Sequence, residues 1–113
     1  MKKLGLCLFV ILLATSLFAQ AGPTFFYVVT AVDANGLESV FSNQATITFG
    51  QGQHNATLSW VASTSTVSGY NVYRSKVSGS GYVKINTALV SGVTYLDPFS
   101  LPNPPSGLAA TPN

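Results

Sequence analysis

The run Thr24-Phe25-Phe26-Tyr27-Val28-Val29-Thr30-Ala31-Val32, closed by Asp33-Ala34-Asn35-Gly36, decides the fold class. Its residues are β-branched, aromatic or small, and both alternating faces are largely apolar. That composition suits a central strand covered on at least one side. Asn35-Gly36 is a strong turn signal, because both residues tolerate positive φ, so the chain folds back there.

Working outward, a second strand is expected near Gln44-Ala45-Thr46-Ile47-Thr48-Phe49, followed by the loop Gly50-Gln51-Gly52-Gln53. Ala56-Thr57-Leu58-Ser59-Trp60-Val61 alternates, placing Ala56, Leu58 and Trp60 on one face. The Ser/Thr-rich stretch from Ala62 to Ser68 reads as a loop. Gly69-Tyr70-Asn71-Val72-Tyr73-Arg74 reads as a strand, with Tyr70 and Val72 sharing a face. Shorter strands follow at Tyr82-Val83-Lys84-Ile85 and Val93-Thr94-Tyr95-Leu96-Asp97, each introduced by a Gly/Ser turn. Pro98, Pro102, Pro104, Pro105 and Pro112 crowd the last 16 residues, which read as an extended tail. Short strands with frequent turns and no helical period imply an all-β sandwich or small barrel.

The N-terminal stretch carries a different message. Lys2-Lys3 is a positive n-region, Leu4 to Phe18 a 15-residue apolar core, and Ala19-Gln20-Ala21 places small residues at −3 and −1 of a cleavage site. This three-part pattern is that of a secretory signal, and the apolar core is short of the roughly 20 residues a membrane span needs. The expectation is cleavage after Ala21, release to a periplasmic or extracellular compartment, and no permanent membrane anchor. Removing 21 of the 113 residues leaves 92, without Cys7 and therefore without any disulfide. Arg74, Lys76 and Lys84 then balance Asp33, Glu38 and Asp97, so no basic footprint for nucleic acid remains.

Chemistry has little to work with. His54 is the sole histidine, and a Ser59–His54–Asp97 triad can be assembled only nominally, since the 92 residues hold 12 serines and no Gly-x-Ser-x-Gly elbow. One histidine and three scattered carboxylates offer no metal-ligand cluster. The expectation is therefore no catalytic residue, no cofactor and no metal.

Several of these motifs resemble the fibronectin type III module, in the form repeated in large exported bacterial proteins. Tyr27-x-Val29-x-Ala31-Val32-Asp33 followed by Asn35-Gly36-x-Glu38-Ser39 is similar to strands F and G of that family. Leu58-Ser59-Trp60 resembles strand B, Gly69 to Arg74 strand C, and Thr94 to Asp97 strand E. The resemblance implies an immunoglobulin-like β-sandwich over residues 22–97, with F–G within 24–49 and B, C, C′ and E within 55–97. It implies a core containing Tyr27, Val29, Leu58, Trp60, Tyr70 and Val72, with Trp60 as a buried anchor. Tyr27 would be the family's tyrosine corner, its hydroxyl bonded to nearby backbone.

The motif order departs from the family, running F, G, B, C, C′, E, and then Pro104-Pro105-Ser106-Gly107-Leu108, which resembles the opening of a further module. Either the chain is a slice through a multi-module extracellular protein, such as a carbohydrate-active enzyme, with no function of its own, or it folds as a circularly permuted sandwich lacking strand A. The connection from Phe49 to Ala56, roughly 20 Å when extended, is long enough to cross between sheets. A permuted sandwich leaves Ala56 to Val61 with an open edge, a site for strand addition, and permits strand-exchange oligomers.

The expected function is that of a non-catalytic exported spacer, adhesive or accessory binding unit whose partner is an extracellular protein or polysaccharide. The candidate surface is Tyr73 and Tyr82, pointing outward, with Asn35 and Glu38 on the F–G loop. The same two tyrosines also suit plain cross-strand packing on the outer face of a sheet.

Overall fold

The computed structural model describes residues 22–50, 52–53, 55–98 and 102–113. The expected signal segment 1–21, Cys7 and His54 lie outside the described residues. The described residues form six strands: β1 (Thr24–Val32), β2 (Ala45–Thr48), β3 (Asn55–Ser59), β4 (Gly69–Ser75), β5 (Val83–Lys84) and β6 (Thr94–Pro98). They form two antiparallel sheets, a four-stranded one in the order β2-β1-β4-β5 and a two-stranded one pairing β3 with β6. The described part of the chain is all-β and sandwich-like. Among the described residues there is no helix, hence none long and apolar enough to cross a membrane.

β1 is central, as its two apolar faces require. It pairs with β4 over seven residues, from Phe26 opposite Ser75 to Val32 opposite Gly69, and with β2 on its other side. Phe25, Tyr27, Val29 and Ala31 face the two-stranded sheet, while Val28, Thr30 and Val32 are buried on the opposite face. The turn after β1 forms where Asn35-Gly36 predicts it. Gly36 sits at φ +83°, its N–H donates to the Asp33 carbonyl, and Asp33 Oδ1 accepts from the N–H groups of Asn35 and Leu37.

The core is smaller than the sequence implies. Phe25, Tyr27, Phe49 and Ala56 form its buried cluster, with Phe25 and Phe49 edge to face at 5.8 Å. Tyr27, Tyr70 and Val72 are buried as expected, but Val29, Leu58 and Trp60 are only partly so. The correction has a simple cause. β3 has one partner strand among the described residues, so the side chains at its outer margin lack a neighbour to enclose them. Phe49, at the end of the β2 segment, takes over the role of large fully buried aromatic.

Candidate functional site

The outer face of the four-stranded sheet holds Tyr73, Tyr82 and Glu38 of the candidate surface, and a bulge reshapes it. Val32 pairs with Glu38, yet Tyr27 pairs with Ala45, so seven steps on one strand oppose five on the other. Two residues are therefore extra. Ser39 and Ser42 keep the ladder intact across the gap: their N–H groups donate to the carbonyls of Ala31 and Val29, and their hydroxyls accept from the N–H groups of the same two residues. Each hydroxyl then donates to the next carbonyl along the chain. The bulge pushes Val40 and Phe41 out of the sheet.

Phe41 lands between the two expected tyrosines, its ring centroid 5.3 Å from Tyr73 and 5.2 Å from Tyr82, edge to face with both. Half of Phe41 stays in solvent, at 49% exposure, while Tyr73 and Tyr82 are each partly buried. Their hydroxyls are held within the chain, Tyr73 donating to Glu38 and Tyr82 to Gln44 Oε1. Sequence reasoning missed Phe41, because its position depends on a bulge that no local pattern marks.

Glu38 is the polar centre of this face. Its Oε2 accepts from Thr30 Oγ1 at 2.5 Å, from Asn71 Nδ2 at 3.2 Å and from the Tyr73 hydroxyl. These donors, Thr30 foremost, hold its carboxyl below the usual value, and the same contact raises the Tyr73 hydroxyl. Asn35 is not part of the cluster. It lies exposed in the β1 turn, its backbone N–H bound to Asp33.

A second constellation lies between the sheets. Asp97, on β6, accepts from the Tyr27 hydroxyl at 2.7 Å and from Arg74 Nη1 at 2.7 and 2.9 Å. The Arg74 guanidinium also stands 5.1 Å above the Phe25 ring. The Tyr27 hydroxyl thus reaches a carboxylate on the facing sheet, not the nearby backbone the resemblance implies. Burial and then the neighbouring carboxylate push its pKa far upward. With Asp97 committed to Tyr27 and Arg74, the nominal triad loses its acid, and its His54 lies outside the described residues. Among the described residues no three metal-ligating side chains come together.

The third feature is a groove of about 450 Å³ at the margin of the sandwich, lined by Val29, Ala31, Trp60 and Val61 with Ser39 and Ser42. Trp60 packs edge to face on Tyr70 at 5.5 Å. Its indole N–H is enclosed and finds no acceptor among the described residues.

No family model matches this chain, and no curated protein and no solved structure matches it.

Proposed function

We propose that this chain is a non-catalytic exported module of the fibronectin type III kind, permuted in strand order. Its aromatic face contacts an extracellular polysaccharide or protein. The observation that carries the reading is the sheet order. β2-β1-β4-β5 against β3-β6 fits the order G-F-C-C′ against B-E that the motif resemblance implies, and among the described residues no strand takes the place of A. Within that frame Phe41, flanked by Tyr73 and Tyr82, supplies a half-exposed ring of the kind that stacks on a sugar face, and the carboxylate of Glu38 lies beside it. Export is supported by Lys2-Lys3, the apolar core and Ala19-x-Ala21.

The test is retention of the purified chain on insoluble cellulose and chitin, with Phe41→Ala and Tyr82→Ala beside it. Retention that both substitutions abolish supports the reading. A chain that passes through every such matrix, or is retained equally after both changes, removes the aromatic face from it. The second reading, a slice of a multi-module protein with no role alone, is favoured by the margin of β3, which has no partner strand among the described residues. Thermal melting distinguishes the two, because a functional module melts cooperatively and a slice does not.

A further inference from the structure

Among the described residues β3 has a strand on one side only. Trp60 N–H donates to the Val93 carbonyl at 3.0 Å, which fixes the alternation along the pair. Ala56, Leu58 and Trp60 direct their backbone groups toward β6. Asn55, Thr57 and Ser59 direct theirs to the opposite edge, where no described strand accepts them. That edge is about 17 Å long for five residues.

The groove lies beside the same edge. Asp97 of β6 bonds to Tyr27 on β1 and to Arg74 on β4, and Tyr95 to the Ile85 carbonyl after β5, while Ala56 and Leu58 of β3 pack with Phe25, Tyr27, Ile47 and Phe49 of β1 and the β2 segment. β3 therefore sits over β1, and its free edge faces the 39–45 side. There the groove lined by Val29, Ala31, Trp60 and Val61 opens, and a smaller pocket continues it past Leu58 and Ala45. Val61 is 93% exposed in this position. A strand laid along β3 would cover this apolar margin and satisfy the free backbone groups together.

The chain also carries an unattached segment that matches. Residues 102–113 take no part in either sheet and are exposed throughout, Leu108 at 99%. Ser106-Gly107-Leu108-Ala109-Ala110-Thr111 is free of proline, so every one of its N–H groups can donate, and Pro105 and Pro112 bracket it. Six residues suffice for the five of β3, and Leu108 and Ala110 share the face that would turn to the groove. For the chain's own tail the direct return is a parallel one. β6 ends at Pro98 opposite Asn55, the first residue of β3, so a tail doubling back from there runs parallel to β3. A tail from another molecule is free to run antiparallel, the more stable pairing.

We propose that the free edge of β3 and its groove accept residues 106–111 of a second copy of this chain, so that copies join head to tail by strand addition. This goes beyond the aromatic face and uses the open margin between the two sheets. The contact is heterologous, joining tail to groove, so it propagates into chains of copies instead of closing at a dimer.

The test uses the chain expressed from Met1 and purified with whatever N-terminus the cell leaves on it, followed by sedimentation across the micromolar-to-millimolar range. The expected result is a mass that climbs past that of a dimer as concentration rises. A chain lacking 102–113 should stay monomeric with its melting temperature in dilute solution unchanged. The full-length Leu108→Asp/Ala110→Asp variant, altered only at exposed positions, should associate at least about tenfold more weakly. A synthetic peptide of residues 102–113 should bind the shortened chain one to one and raise its melting temperature. Association that persists unchanged without the tail overturns the proposal, as does a peptide that leaves melting unaltered. A full chain that stays monomeric yet loses stability on tail removal overturns it as well, because the tail then docks on its own molecule.

Discussion

The Tyr27 hydroxyl donates to Asp97 Oδ2 at 2.7 Å across 70 residues of sequence, and this bond ties the central strand β1 to the facing sheet. Arg74 reaches the same carboxylate from β4, so three strands of two sheets meet at one buried acid. The arrangement makes the sandwich sensitive to a few atoms.

Tyr27→Phe removes a hydrogen bond to a charged acceptor and should cost about 1.5–3 kcal/mol in denaturant unfolding. It should also change the alkaline limit. The folded Tyr27 hydroxyl titrates well above the ordinary 10.0, so the folded state holds a proton that the unfolded chain releases. Its contribution is complete below pH 10 and drains away as pH rises beyond that point. The parent should lose stability above pH 10 more steeply than Tyr27→Phe, as melting followed by circular dichroism will show.

Arg74→Met should leave the Asp97 carboxylate buried without its cation, at about 3–5 kcal/mol. Adding Asp97→Asn removes the charge and keeps an acceptor for Tyr27. The double variant should regain most of the loss. If the two losses simply add, Arg74 and Asp97 are not energetically coupled.

At the acid end Glu38 is the residue to follow. Its folded carboxyl lies below the ordinary 4.5, held there first by Thr30 and then by Tyr73 and Asn71. A depressed acid stabilises the fold above its unfolded value and loses that contribution as pH falls through its folded value. Melting temperatures between pH 7 and pH 3 should therefore drop more for the parent than for Glu38→Gln, which has no charge to lose.

Phe49→Ala should cost about 3–5 kcal/mol, the range for a fully enclosed aromatic. Trp60→Ala should cost less than Phe49→Ala, because the groove already exposes part of the indole and its N–H has no acceptor to forfeit. Urea titrations of the two variants side by side give the order directly. A larger loss at Trp60 would mean that the groove is closed in solution.

The strands themselves are a local property, and the sequence was sufficient for them. Thr24 to Val32 emerges as β1 with the expected bounds because its β-branched and aromatic side chains favour extended backbone, and Asn35-Gly36 reverses the chain because Gly36 accepts φ +83°. A strand apolar on both faces suits the middle of a sheet, and β1 does lie between β2 and β4, though which strands flank it was implied only by the family resemblance.

What lies beyond the reach of local pattern depends on residues brought together from far apart. No periodicity announces that Asp97 will collect Tyr27 and Arg74, or that Ser39 and Ser42 will carry a two-residue bulge that delivers Phe41 between Tyr73 and Tyr82. Trp60 shows the limit most plainly. Alternation correctly assigns it to the face of Ala56 and Leu58, but its burial depends on a neighbour beside β3. Strand spacing is a matter of adjacent residues, whereas enclosure is a matter of which strands pack against which, and only the tertiary structure decided that.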